Sequence, residues 1–298
     1  MNRRSFLSAL AVAPAVAAAV GLAGCGDPGS AAESTSAPTS ASTAPSVDNT
    51  SSPGIAHPTG PNDVVLKLSY EGGLVPAGFA FVNTPALVVS GDGHVYTQGV
   101  VPAIYPGPLL PSVLVRSITE PGVQLLLGVL DKAGLLAAEP DYSSGNSGST
   151  VADAPVTVLA INAAGSTFEH RAYALGIGNP ETAARKTLLD AITAIGDPDV
   201  AAGAANLGPD EPFAPAAYRF RALAVDPADL TSQDLPPTIV EWPSGAGVPL
   251  TSATTCATVD AATVGSLFTD AKQNTYFRDA DVVYQVTVAG VLPGDPSC

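Results

Sequence analysis

The sequence predicts an α+β fold, mainly antiparallel sheet with a few short helices. Three observations predict it. Runs of β-branched and aromatic residues of strand length are joined by tight glycine-containing turns. Helix-period apolar patterns occur at only a few places, and the regular strand-helix alternation of a doubly wound parallel sheet is missing.

Val64-Val65-Leu66-Lys67-Leu68-Ser69-Tyr70 is rich in β-branched residues and partly alternating, the pattern of a half-buried strand. Ala86 to Val89 and His94 to Thr97 flank Gly91-Asp92-Gly93, a hairpin turn signal. Beyond the connector Tyr105-Pro106-Gly107-Pro108, Val113 to Val115 predicts a further strand. A helix follows: Thr119 suits the N-cap, Glu120 and Pro121 suit the first turn, and Val123, Leu126, Leu127, Leu130 and Ala133 fall on one face before Gly134 ends it.

The same order of elements recurs. Pro155 to Ile161 and Thr167 to Leu175 predict strands around the turn Asn162-Ala163-Ala164-Gly165. Asn179 then serves as an N-cap with Pro180 at the first helical position, Leu188, Leu189, Ile192 and Ile195 form the apolar face, and Gly196 ends the helix. A third stretch varies the theme, with strands at Ala217 to Val225 and Thr238 to Trp242, a short helix capped by Asp260 and carrying Val264, Leu267 and Phe268, and a last strand at Val282 to Val291. The expectation is a loosely repeated strand-turn-strand-helix unit, repeated in element order and not in residue identity. A subdivision is expected near 140–155.

The first 61 residues belong to a different regime. Two arginines stand ahead of an Ala- and Val-rich run from Leu10 to Val20, the layout of a signal peptide; the run is shorter than the roughly 20 apolar residues of a membrane-spanning helix. Arg3-Arg4-Ser5-Phe6-Leu7 resembles the twin-arginine export signal, with Asn2 and Ser8 where that signal usually has Ser/Thr and Lys. Leu22-Ala23-Gly24-Cys25 is similar to the lipobox of bacterial lipoproteins. The lipobox resemblance implies cleavage between Gly24 and Cys25 and a thioether-linked diacylglycerol on Cys25, which anchors the chain to the extracytoplasmic face of the cell membrane. Each buried methylene contributes about 0.8 kcal/mol, so two or three acyl chains suffice as an anchor. With its Ala/Gly/Pro-rich composition and terminal Cys, the chain resembles lipoproteins of high-GC Gram-positive bacteria.

Residues 1–24 are thus expected to be signal peptide, 25–61 a disordered Ser/Thr/Ala/Pro tether, and 62–298 the exported domain. The tether is too poor in large apolar side chains to offset the entropy of ordering. Of the cysteines, Cys25 is assigned to lipid, leaving Cys256 and Cys298 as an even pair in an oxidising compartment; a disulfide between them closes a loop of about 40 residues and contributes about 4 kcal/mol on the chain-entropy model.

The net charge is −15. It becomes about −17 when Arg3 and Arg4 leave with the signal. The remaining basic residues are scattered along the sequence, with no run longer than Arg185-Lys186. Nucleic acid and anionic headgroups are therefore poor partners.

No catalytic, cofactor-binding or metal-ligating constellation stands out, and no cofactor is expected. The histidines are His57, His94 and His170, with His57 placed in the tether. Asp92 and His94 flank a hairpin turn, where Asp-Gly is first of all turn chemistry. His170, between Glu169 and Arg171, is expected to be a half-exposed strand residue; general-base chemistry is the sharper alternative. Gly176-Ile177-Gly178-Asn179 superficially resembles a nucleotide turn but lacks the third glycine and the lysine. Glu139/Asp141, Asp210/Glu211 and Asp279/Asp281 can each be drawn as an acid-base couple or calcium site, although their loop settings favour solvation. Trp242 is expected to be a buried aromatic at a strand end.

Three functions stay open. The first is a non-catalytic envelope protein that binds a protein or envelope component through its sheet or proline-rich loops. The second is an envelope-polymer hydrolase, which needs two convergent carboxylates with opposed pKa values. The third is a small-molecule carrier, which needs an apolar cavity or a two-lobed cleft.

Overall fold

The structure is a computed structural model that describes residues 54–75, 78–143, 151–177, 181–230 and 235–298. They build two sheets, antiparallel except for one pair of strands, and the expected α+β class holds. The first sheet has seven strands in the order β6-β5-β1-β2-β3-β4-β7, formed by β1 (Val64–Glu71), β2 (Leu87–Ser90), β3 (His94–Gln98), β4 (Val113–Ser117), β5 (Val156–Ala163), β6 (Ser166–Tyr173) and β7 (Glu211–Pro212). Its helices are α1 (Phe79–Val82) between β1 and β2, α2 (Glu120–Lys132) after β4, and α3 (Ala183–Ile195) after β6.

Both faces of this sheet are used. Leu66, Leu68, Leu87, Val89, Val95, Leu159 and Ile161 share a core with Val123, Leu126, Leu127 and Leu130 of α2 and Leu188, Ile192 and Ile195 of α3. On the other face, Val88 and Tyr96 pack with Leu292 and Phe213. This explains why β2 is buried at every position instead of alternating. A bulge between Val64 and Leu66 lets the consecutive Val65 and Leu66 both enter the first core.

The second sheet has five strands in the order β10-β8-β12-β11-β9. They are β8 (Ala217–Val225), β9 (Thr238–Glu241), β10 (Ala257–Asp260), β11 (Thr275–Asp279) and β12 (Val282–Gly290), with the short helices α4 (Pro227–Leu230) and α5 (Ala261–Val264). Only β9 and β11 pair in parallel. Its core is aromatic: Trp242 is buried against Phe220, Phe268 and Phe277 with ring centroids 5.3, 5.9 and 6.2 Å away, and its indole N–H donates to Val248 O at 2.8 Å. Trp242 is therefore the buried strand-end aromatic that the sequence predicts.

Several expectations are corrected. Residues 54–61, ahead of the expected domain start at 62, are part of the fold: Ile55 N–H donates to Gln124 Oε1 at 2.7 Å, Gln124 Nε2 donates back to Ile55 O at 2.9 Å, and Ala164 N–H donates to Ala56 O at 2.7 Å. Backbone pairing and the burial of Ile55 hold a segment whose composition alone reads as tether. No boundary falls at 140–155, because β5 pairs with β1 across that connection; the change of sheet comes between β7 and β8.

The third repeat unit also fails, since β8 and β9 are not neighbours and β12 and β11 lie between them. Asn179 and Pro180 lie outside the described residues, and α3 is capped by Thr182, whose Oγ1 accepts from Arg185 N–H at 3.4 Å. Leu267 and Phe268 fall beyond α5, which stops at Gly265 with φ +55°. The strands β10 and β11 were not expected from the sequence, being short and flanked by polar residues.

Candidate functional site

Cys25 and the paired arginines lie outside the described residues. Cys256 and Cys298 are joined in a disulfide with a Cα–Cα distance of 5.2 Å, as expected. Each histidine is taken up by the fold. His170 is fully buried, not half-exposed: Nε2–H donates to Leu135 O at 2.8 Å, so Nδ1 accepts the Tyr142 hydroxyl at 2.9 Å. Burial and the nearby Glu139 push the Tyr142 hydroxyl up to about 12. With both nitrogens occupied inside the core, His170 links β6 to the 135–142 connection.

His57, expected in the tether, has a side chain 6% exposed, with its ring nitrogens facing Pro58 O at 2.8 Å and the Glu120 carboxylate at 3.1 Å. His94 Nδ1 lies 3.1 Å from Asp92 Oδ1, and Ser90 Oγ donates to the same oxygen at 2.5 Å. The serine thus sits on the carboxylate and not on the imidazole, the opposite of what a nucleophile-base pair needs. Burial raises the Asp92 carboxyl, but the hydrogen bond from Ser90 and the charge of His94 outweigh it and leave the group below the usual aspartate value.

Three of the acidic candidates serve local structure. Asp141 accepts from Ser143 N–H at 2.8 Å, Asp279 accepts from Leu250 N–H at 2.7 Å, and Asp210 lies 3.5 Å from Arg116 Nε. Of the Gly176-Ile177-Gly178-Asn179 turn, Gly178 and Asn179 lie outside the described residues. Gly176 N–H donates at 2.6 Å to Glu181, whose carboxylate occupies the place an anion would take and is bound in turn by Arg185. Among the described residues no group of three or more His, Cys, Asp or Glu side chains converges as a metal site.

Two surface features among the described residues bear on the open functions. The first is a cleft of about 710 Å³ between the 56–63 segment and the β5–β6 turn, lined by His57, Asp63, Lys67, Asn162, Ser166 and Thr167 among others. Its polar groups are largely engaged: Asn162 Nδ2 donates to Val64 O at 2.6 Å, Thr167 Oγ1 donates to Asn162 Oδ1 at 2.6 Å, and Asp63 Oδ2 accepts from Gly60 N–H at 2.9 Å. Asp63 is the one carboxylate among the lining residues, so the cleft offers no acid-base couple.

The second feature is apolar. Between Gly99 and Gly107 the chain projects Val100, Val101, Ile104 and Tyr105, which are 87, 70, 66 and 61% exposed. The base of the projection is fixed at both ends: Gly99 N–H donates to Ser112 O at 2.9 Å, Gln273 N–H donates to Gly107 O at 2.9 Å, and Leu109 N–H donates to Ala271 O at 3.0 Å. A shallow hollow of about 240 Å³, with Phe79, Val82, Val101 and Pro111 in its walls, links the loop to α1. No Asp, Glu, Lys, Arg or His occurs from Val95 to Val115. Sequence reading registered this stretch only as a proline-rich connector; its lack of charge and the run Val-Val-Pro-Ala-Ile-Tyr were the available signal.

No helix among the described residues is long and apolar enough to cross a membrane. No family model matches the sequence, and neither a curated protein nor a solved structure matches it.

Proposed function

We propose that this chain is an exported lipoprotein, moored to the extracytoplasmic face of the cell membrane by acyl chains on Cys25, whose domain is a non-catalytic binding protein of the cell envelope. The anchoring rests on the lipobox resemblance of Leu22-Ala23-Gly24-Cys25. The binding role rests on the projecting loop 99–107 and the adjoining hollow beside α1. Four large apolar side chains on one loop, each more than half exposed, mark a surface that gains by being covered.

The partner that fits is an envelope protein presenting an apolar cleft. The loop is exposed and fixed at its base, and it carries no charge whose hydration would be lost on insertion. The hydrolase reading needs two convergent carboxylates where the cleft at Lys67 has one, and the carrier reading needs an enclosed apolar cavity where that cleft is open and lined in part by His57, Asp63, Lys67 and Asn162.

A photocrosslinking residue placed at Val101 in cells tests the binding role against the same residue at Lys132 on α2. A discrete adduct from Val101 that disappears in Ile104→Asp, with none from Lys132, is the expected result. Adducts that are identical at both positions, or missing at Val101, remove the reading. The anchor is tested separately by mass spectrometry and fractionation: Cys25 should carry acyl chains, and Cys25→Ser should shift the protein from membrane to medium. A native protein with a free thiol at Cys25 ends that part of the proposal.

A further inference from the structure

The arginines of the domain fall into two groups. Arg116 donates to both carboxylate oxygens of Asp199 at 2.8 and 2.9 Å, Arg171 donates to Glu71 at 2.9 Å, Arg278 donates to Glu241 at 2.9 Å, and Arg185 binds Glu181 and three backbone carbonyls. Arg219 and Arg221 differ. Both have a buried Nε with no hydrogen-bond partner among the described residues. The nearest carboxylate to Arg219 is Asp295, 3.8 Å from its Nε, and Arg221 has no ion pair among the described residues.

Asp295 does not neutralise this group. It is 3% exposed, accepts from Leu292 N–H at 3.0 Å, and lies 3.8 Å from Lys67 as well as from Arg219. Lys67 and Arg219 therefore share one buried carboxylate and Arg221 has none among the described residues, in a chain whose net charge is −15. Burying polar donors without partners is costly, and a guanidinium fork suits a tetrahedral or planar oxyanion better than any neutral partner.

The geometry gathers these groups. Arg219 and Arg221 are two residues apart on β8 and so project from the same sheet face, with Cα atoms about 6.6 Å apart at strand spacing. Thr287 of β12 stands directly opposite Arg221 in the antiparallel register, placing its hydroxyl on that face. The α1 segment lies over it: Phe81 stacks on the Arg219 guanidinium at 5.4 Å, and a Cβ built on Gly78 would stand 2.9 Å from Arg221 Nη2. One side of the pair is thus walled and the guanidiniums are held in place, leaving Arg221 partly open to solvent.

We propose that Arg219, Arg221 and Thr287 form a binding site for a doubly charged phosphate or sulfate group, taken either as the free ion or as the end of a larger molecule. The two guanidiniums supply forked N–H donors, and the Thr287 hydroxyl supplies one more. This site is separate from the apolar loop and does not depend on the binding role proposed for it.

Titration of the full chain with inorganic phosphate, with sodium chloride at matched ionic strength as reference, tests the site by calorimetry and thermal melting. Phosphate should bind and raise the melting temperature where chloride does not, and Arg221→Gln should weaken phosphate binding at least tenfold while keeping the wild-type melt in chloride. Arg221→Lys should fall between the two, because it keeps the charge and loses the fork. Lys132→Gln, far along the chain on α2, should bind as wild type. Glycerol 3-phosphate separates the sources: affinity equal to that of inorganic phosphate assigns a free ion, and tighter binding assigns a phosphomonoester end. If phosphate stabilises no more than chloride, or binds Arg221→Gln as well as wild type, the proposal is wrong. Should Arg221→Gln melt abnormally, the same comparison on Thr287→Val decides, with unchanged affinity counting against the site.

Discussion

Arg185 is 4% exposed and is fully engaged inside the first half of the domain: its guanidinium reaches the Glu181 carboxylate and the carbonyls of Tyr142, Tyr173 and Ala174. One side chain thereby ties the start of α3 to the end of β6 and to the 135–142 connection. Replacing it with leucine takes the cation from the Glu181 carboxylate, which keeps only the Gly176 N–H, and removes the guanidinium donors from three carbonyls. Arg185→Leu should therefore cost about 3–5 kcal/mol in denaturant unfolding, and a loss below 1 kcal/mol would mean that the contacts carry little stability. The Arg185 hydrogen bond holds the Glu181 carboxyl below the usual glutamate value, so near that value the folded chain binds fewer protons than the unfolded one. The stability from this pair is complete above the unfolded pKa of about 4.3 and is lost as pH falls through the lower folded value. Melting curves from pH 7 down to 3 should show a shallower acid loss in Glu181→Gln than in wild type. None of this was legible in the sequence, where Arg185-Lys186 is only the longest basic run; which of two adjacent basic residues is buried depends on how α3 is turned toward the core.

At the scale of one element, α2 shows how a good sequence signal still leaves the packing open. Thr119, Glu120, Pro121 and the spacing of Val123, Leu126, Leu127 and Leu130 placed this helix within a residue of its bounds, and those four apolar residues are the ones buried. The cap differs from the expected form: the Thr119 hydroxyl donates to Asn206 Oδ1 at 2.9 Å and does not accept from the helix. Two glycines in the helix look equivalent by propensity but meet different surroundings. A Cβ on Gly128 has nothing within 4 Å, whereas one on Gly122 would lie 2.8 Å from Ile118 Cγ1 and 2.9 Å from Asn206 Cβ. Gly128→Ala should therefore stabilise the protein by about 1 kcal/mol through propensity. Gly122→Ala should destabilise it by about 1–3 kcal/mol through overpacking. Chemical denaturation of the two variants checks the contrast, and equal stabilisation of both would show that the 118 and 206 segments move aside freely.

Across the whole domain the two sheets have separate cores, one dominated by aliphatic residues and one by aromatic ones, joined through the smaller cluster of Val88, Tyr96 and Leu292. The Cys256–Cys298 disulfide ties the approach to β10 to the segment that carries Leu292 and Asp295. Closing a loop across the 42-residue separation should contribute about 4 kcal/mol. Cys256→Ser with Cys298→Ser should show that loss in unfolding midpoints, and hydrogen exchange should quicken at β10 and residues 291–298 while α2 and α3 change little. A uniform acceleration over both halves would mean that the two cores open as one unit.

What the sequence determined by itself is what short-range physics controls: most of the strands, the bounds and apolar period of α2, the hairpin turn at 91–93, the even cysteine pair, and the acidic balance. The lipobox resemblance at Leu22-Ala23-Gly24-Cys25 is likewise a local pattern, and the lipidation it implies is the proposal made above. Only the tertiary structure decided the order of strands in each sheet, the docking of 54–61, the burial of His170 and Arg185, and the approach of Lys67 and Arg219 to Asp295. These depend on contacts between residues far apart in the chain, as Lys67 and Asp295 are. Their interaction is set by how separate layers pack, and no local propensity or spacing encodes it.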